Sequence, residues 1–281
     1  MTLLHVENLC VRFPSDQGEV EVVRGLTFTL GRERLGIVGE SGSGKSMTGR
    51  ALMGLIPKPG RVTADRMEFE GIDLRGLAEP AFRRLRGARM SMAMQDPKFS
   101  LNPVIRIGDQ IAEALEFHSR LSARDRRARV LEVLQAVRID DPERVYQLYP
   151  HEVSGGMGQR VMIAMMVILE PALMIADEPT SALDVSVRAQ VLEIMDDLVR
   201  RRGMGLILIS HDLNMVARWC DRILVMFNGQ VVEECAAGQL HAATHPYTQG
   251  LLASMPRLDE DRAQLPVLDR ALIGAGLGGR T

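Results

Sequence analysis

The sequence predicts an α/β protein organised around a phosphate-binding loop, and three observations carry that reading. The first is Gly39-Glu40-Ser41-Gly42-Ser43-Gly44-Lys45-Ser46, which fits G-x-x-x-x-G-K-[ST] at every fixed position. It stands between an apolar, strand-like run, Leu35-Gly36-Ile37-Val38, and a helical stretch over residues 45–55. The second is a pair of further apolar runs, residues 173–176 and 205–209, which end in Asp177-Glu178 and in Ser210-His211-Asp212 and are separated by a helical stretch over residues 185–199. The third is a break in this alternation: β-type segments near the N-terminus and helical periodicity after residue 108 add an antiparallel β portion and an inserted helical portion.

The chemistry of the loop explains its spacing. Glycines at 39, 42 and 44 let successive backbone N–H groups turn inward, and the following helix N-terminus adds its partial positive charge to the same anion site. Lys45 then reaches the β- and γ-phosphates, and the Ser46 hydroxyl ligates Mg²⁺. A Gly/Ser-rich loop with no ligand is the plainer alternative, which the complete motif between strand and helix disfavours.

Composition sets the bounds. With 281 residues, 46% hydrophobic and 25% charged, the chain buries a sizeable core, as one large domain or as a core plus a subdomain. A formal charge of −2 and an isoelectric point near 6.3 argue against coating nucleic acid through net charge and leave open only a local basic patch. Cys10, Cys220 and Cys235 form no C-x-x-C pair, so neither a zinc site nor a disulfide framework is indicated, and reduced cytosolic thiols fit. The longest apolar run, residues 161–169, is too short to span a bilayer, and no signal core opens the chain. Work at a membrane then requires recruitment by a partner.

In chain order, residues 3–13 and 20–30 read as two β segments joined by the turn Ser15-Asp16-Gln17-Gly18. Phe13 at the end of the first can stack on a purine ring or simply pack in the core. After the loop helix, Pro57-Lys58-Pro59-Gly60 ends the element and one β stretch is expected over residues 62–69, with Gly71 as its turn. Residues 88–94 form a buried-strand candidate that places Gln95 at a strand end beside the phosphates, where a lone Gln can equally be a turn residue.

Helical spacing then takes over from residue 108 to about 148, with Ile111, Ala114, Leu115 and His118 recurring, Ser122 as an N-cap, and Val130, Leu131, Val133, Leu134 and Val137 on an apolar face. The basic run 124–129 forms the solvated face of that helix, or alternatively touches lipid headgroups. Ser154-Gly155-Gly156 opens the apolar helix that follows, as an ordinary cap or as a second anion site. Asp177 and Glu178 stand at a strand end, where the first can hold Mg²⁺ through its water shell and the second can orient or deprotonate attacking water. His211 ends a strand in the same way, within reach of a γ-phosphate or in a structural role. Residues 223–227, Asn228-Gly229 and residues 230–233 give the clearest hairpin signal. The tail from about residue 259 is polar and Gly-rich, and disorder is expected over residues 274–281.

In this order the motifs make the chain resemble an ATP-binding-cassette (ABC) ATPase over about residues 3–257. The resemblance implies a P-loop NTPase (RecA-like) core with an antiparallel β subdomain and an inserted α-helical subdomain at about residues 98–160. It also implies one ATPase domain over residues 1–257 and a separate, partly disordered tail over 258–281. Residues 39–46 correspond to the Walker A loop, so Gly39, Glu40, Ser41, Gly42, Ser43, Gly44, Lys45, Ser46 and the adjoining Met47 are expected to bind ATP, with Phe13 on its base. Gln95 corresponds to the Q-loop glutamine, residues 173–177 to the Walker B strand, Glu178 to the catalytic carboxylate, residues 181–184 to the D-loop and His211 to the switch histidine. The implied catalytic set is Lys45, Gln95, Glu178 and His211, and the implied Mg²⁺ set is Ser46, Gln95 and Asp177. Two such subunits face head to tail in this family. Ser154, Gly155 and Gly156, the signature, then bind the γ-phosphate of ATP held by the other subunit, and one chain alone has no complete site.

A narrower resemblance rests on Tyr149-Pro150-His151-Glu152, on Met157 where many relatives have Gln, and on His245-Pro246-Tyr247-Thr248. These are similar to the ATPase subunits of the peptide, nickel and opine importer group; Val153 in place of Leu is a mild departure. The implied partners are two membrane permease subunits, a second ATPase subunit that is a related chain or a second copy, and an extracytoplasmic solute-binding protein, with no nucleic acid. The implied location is peripheral, on the cytoplasmic face of the inner membrane. Several relatives carry four closely spaced cysteines in a C-terminal extension, whereas no cysteine follows Cys235, so no iron–sulfur cluster is expected. The alternative function is a soluble ABC-type ATPase acting on DNA or ribosomes. Such proteins usually carry a long coiled coil or two fused cassettes, and this chain has one cassette and no sustained heptads.

Overall fold

Stretches of alternating apolar residues, among them Leu26, Phe28 and Leu30 on the second strand, drive a long antiparallel hairpin of β1 (Leu4–Ser15) and β2 (Gly18–Leu30). The computed structural model describes residues 2–93, 101–181 and 183–254. Gln95 and the tail 258–281 therefore lie outside the described residues. β1 also pairs with β4 (Arg61–Thr63) and β5 (Arg66–Phe69), and β5 with β6 (Ile72–Asp73). The single β stretch expected over residues 62–69 is thus two strands. The cause is an irregularity in β1 between Val6 and Leu9, where Asn8 has φ 51°. Opposite it, the Asn8 side-chain amide donates to Asp65 (3.1 Å), and the Asp65 N–H donates to the Glu7 carbonyl (2.9 Å).

The second sheet has the order β11-β10-β3-β9-β8-β7 among the described residues. Its strands are β3 (Arg34–Val38), β7 (Met90–Ala93), β8 (Leu173–Asp177), β9 (Gly205–Ser210), β10 (Arg222–Phe227) and β11 (Gln230–Ala236). All pairs are parallel except β10 with β11, a hairpin turned by Asn228 and Gly229. The central strands are buried on both faces. Leu35, Ile37, Leu173, Ile175, Ile207 and Ile209 pack toward the first sheet together with Leu52 of helix α1 (Lys45–Leu52). The alternate residues Val38, Met174, Ala176, Leu206 and Leu208 face the helices on the other side.

Those helices are α3 (Ile107–His118), α4 (Ala123–Ala136) and α5 (Pro142–Gln147), followed by α6 (Gly155–Val167), α7 (Val185–Arg202) and α8 (Leu213–Trp219). As the spacing predicts, Ser122 caps α4, its hydroxyl accepting from the Asp125 N–H. Helix α1 stops three residues earlier than the 45–55 expected, because Gly54 takes a left-handed φ of 62° just past its end. Helix α2 (Glu79–Leu85) carries no periodic signal: only Phe82 of its seven residues is buried. The last helix among the described residues is α9 (Pro246–Ala253), where Pro246 sits in the first turn. Among the described residues no helix is long and apolar enough to cross a membrane.

Candidate active site

Strand register brings the chemistry together. Ile37 of β3, Ile209 of β9 and Asp177 of β8 form one row across three adjacent parallel strands. The loop beginning at Gly39, the Ser210-His211 end of β9 and Glu178 therefore emerge side by side at the carboxyl edge of the sheet, the usual ligand crevice of such sheets.

The loop itself needs glycine at two places. Gly39 has φ 151°, and a Cβ there would lie 2.1 Å from the Met226 carbonyl oxygen. Gly44 has φ 98°, and its Cβ would lie 2.4 Å from the Val22 carbonyl oxygen. Inside the loop the Lys45 ammonium is buried and folded onto loop oxygens, donating to the Gly39 carbonyl (2.8 Å), the Glu40 carbonyl (2.7 Å) and Ser43 Oγ (3.4 Å). Burial pushes its pKa down, opposed by the nearby carboxylates of Glu178, Asp177 and Glu40.

Ser46 Oγ donates to Asp177 Oδ1 at 3.0 Å, although the two residues are 131 apart in the chain. Asp177 is only 3% exposed. Burial raises its pKa, the Ser46 hydrogen bond lowers it, and the Glu178 carboxylate raises it again, with a net upward shift. Glu178 adopts φ 50°, held there by its N–H donating to the Ile209 carbonyl (2.9 Å). Its Oε1 lies 2.7 Å from His211 Nδ1, in a pair whose glutamate side chain is 13% exposed and whose histidine side chain is 64% exposed. The result is a buried lysine, a hydroxyl, two carboxylates and an imidazole around one edge.

Of the other expected residues that are described, the signature lies apart from this edge. Ser154, Gly155 and Gly156 open α6, with Ser154 and Gly155 exposed and the Ser154 hydroxyl accepting from the Met157 N–H (3.3 Å). Gly156 leaves room for Val187 of α7, whose Cγ1 would be 2.7 Å from a Cβ. Phe13 is half-buried in the cluster between the sheets, its ring over Gly60. Met47 is half-buried on α1, and Ser41 and Gly42 are exposed at the loop's rim.

One contact was invisible to sequence reasoning. Tyr247 of α9 is fully buried, and its hydroxyl accepts from the Glu40 N–H at 3.0 Å. The His245-Pro246-Tyr247-Thr248 segment stands out as a motif, but nothing local in the sequence ties it to a loop 207 residues away.

Comparison with known proteins identifies the family. The family model described as "ABC transporter" matches residues 23–181. The dipeptide transport ATP-binding protein DppD of Haemophilus influenzae is 47% identical over 276 residues, covering 98% of this chain and 84% of that protein. The chain belongs to the ABC transporter family. The oligopeptide transport ATP-binding protein OppD of Bacillus subtilis is likewise 47% identical, over 92% of this ABC chain and 73% of its own length. Among solved structures, the dimeric bacterial ABC transporter cassette MJ0796 superposes with a TM-score of 0.73 at 26% identity, covering 83% of this chain and 98% of that one. A second structure of the same cassette, in a post-hydrolysis state with ADP and Pi, matches equally well. The fold is thus that of an ABC ATPase, and this ABC chain is an ATP-binding, ATP-hydrolysing transporter subunit.

Proposed function

We propose that this ABC ATPase powers a bacterial importer of peptides or a related small solute, paired with a second ATPase subunit and docked on two membrane permease subunits. The observation that carries the catalytic part is the convergence of Lys45, Ser46, Asp177, Glu178 and His211 at the carboxyl edge of three adjacent parallel strands. The names of the dipeptide, oligopeptide and glutathione transport relatives support the solute class. They give no support to the alternative of a soluble ATPase on DNA or ribosomes. A nickel complex or an opine remains in the wider solute group.

In this reading Lys45 leaves the Gly39 and Glu40 carbonyls for the β- and γ-phosphate oxygens, and the N–H groups at the start of α1, residues 45–47, hold the rest of the phosphate chain. Phe13 is assigned to the base, which requires its ring to turn away from Gly60. Ser46 and Asp177 fit a divalent cation: a buried carboxylate whose surroundings disfavour its charge, bonded to a hydroxyl, gains from one. With Gln95 they would hold Mg²⁺, which supplies charge neutralisation on the phosphate oxygens. Glu178 accepts a proton from the attacking water or orients it, and His211 holds the Glu178 carboxylate while facing the γ-phosphate. The exposed Ser154-Gly155-Gly156 helix end meets the γ-phosphate held by the second subunit.

The permease contact is assigned to the cavity of about 650 Å³ lined by Arg83, Gln110, Glu113, Phe117, Met165 and Leu169, beside which the Phe117 ring stands 60% exposed. Peripheral attachment to the cytoplasmic membrane face follows from that docking, and solute selection belongs to an extracytoplasmic binding protein and the permease. The test is reconstitution with the permease subunits. ATP-dependent peptide uptake is expected, and Glu178→Gln should cut turnover by about 10²–10⁴-fold while ATP still binds. Parental turnover by that variant removes the role given to Glu178.

A further inference from the structure

Helix α9 reaches the loop of residues 39–46 through the Tyr247 hydroxyl. Two residues of the β10–β11 hairpin and one of α9 close on the loop. The Gly229 N–H donates to the Ser43 carbonyl (3.1 Å). The Met226 carbonyl closes on Gly39. The Tyr247 hydroxyl accepts from the Glu40 N–H (3.0 Å). The Tyr247 ring is fully buried and packs on Phe227, the last residue of β10, with centroids 4.4 Å apart. The start of α9 is fixed in turn by Glu233 of β11, whose carboxylate accepts from the Thr244 N–H (2.7 Å) and hydroxyl (3.3 Å) and from the His245 N–H (3.2 Å).

Glu40 is the residue on which this bracing acts. Its carbonyl accepts from Lys45 Nζ (2.7 Å) and from the Ser43 N–H (3.2 Å), while its N–H is held by Tyr247. When Lys45 transfers to phosphate oxygens, Glu40 loses one of these anchors. The tyrosine hydroxyl remains and keeps the loop's entry in its binding shape, so that ordering does not have to occur at the moment of binding.

We propose that Tyr247 is a positioning residue for the nucleotide loop, bracing Glu40 so that α9 sets nucleotide affinity. This rests on the reading of residues 39–46 as the nucleotide site. The test measures MgADP affinity by calorimetry, and thermal unfolding with and without MgADP, on the full chain and on Y247F, which removes the hydroxyl alone. A preorganising role predicts a Kd raised by about 3–10-fold, the worth of one such hydrogen bond, and a smaller nucleotide-induced rise in Tm. A merely structural role lowers Tm equally with and without MgADP and leaves Kd unchanged, which overturns the proposal. Should Y247F fail to fold, E233Q carries the test by loosening the start of α9 without touching the loop: a raised Kd supports the proposal and a parental Kd overturns it. Failure of the parent chain to bind MgADP, or parental affinity in Lys45→Ala, removes the underlying site assignment and the proposal with it.

Discussion

Asp177→Asn is expected to stabilise the nucleotide-free chain while abolishing its Mg²⁺-dependent ATPase activity. The carboxylate is buried, receives one hydrogen bond from Ser46 Oγ at 3.0 Å, and has the Glu178 carboxylate as its neighbour. Burial and the Glu178 charge outweigh the Ser46 hydrogen bond and the attraction to Arg50 and Lys45, and the pKa is raised. The sign follows directly. Below the ordinary carboxylate range both folded and unfolded chains carry the proton, and the site costs nothing. As pH rises from that range through the raised folded value, the unfolded chain ionises more readily, and the folded state loses stability that it does not regain above. Asparagine keeps an acceptor for Ser46 and removes the charge. Relieving a disfavoured buried charge, less the lost attraction to Lys45 and Arg50, is worth about 1–2 kcal/mol. For a chain of this size that is a rise in Tm of about 2–5 °C. Thermal unfolding without nucleotide near pH ~7.5 should show the gain, and the gap should narrow as pH falls toward about 4. A variant that melts at or below the parent at the higher pH, or a gap independent of pH, refutes the reasoning.

Lys45→Ala should lose measurable nucleotide binding while staying folded, checked by calorimetry alongside circular dichroism; parental affinity would dismiss the loop assignment. Gly36→Ala puts a methyl 2.0 Å from Cγ1 of the buried Val216 on α8, and overpacking of this kind costs about 1–3 kcal/mol, so its Tm should fall by several degrees, whereas an unchanged Tm contradicts the packing. Ser154→Ala removes a helix cap worth about 1 kcal/mol and should depress turnover of the assembled pair more than nucleotide binding by the altered chain itself. Equal loss in both would count against the head-to-tail arrangement.

Much of the fold was legible because its signals are local. The strand–loop–helix over β3 and α1, the turn at Asn228-Gly229, the cap at Ser122 and the hairpin of β1 and β2 each join neighbours in the chain, where periodicity and turn chemistry act directly. Helix α2 was not legible, since seven residues burying one side chain have no period to detect. The split of residues 62–69 into β4 and β5 was hidden for another reason: its cause, the irregularity at Asn8, sits on a different strand.

The same division runs through the site. Local composition already shows which residue types stand at strand ends: a glycine loop with Lys45 and Ser46, the Asp177-Glu178 pair, and His211. Those placements follow from apolar runs short enough to be buried strands. That β3, β9 and β8 are neighbours emerges from the folded chain, because sheet order depends on long-range pairing that no local window contains. That order sets Ser46 on Asp177 and His211 on Glu178, and the packing of α9 on β10 and β11 carries the Tyr247 hydroxyl to the Glu40 N–H.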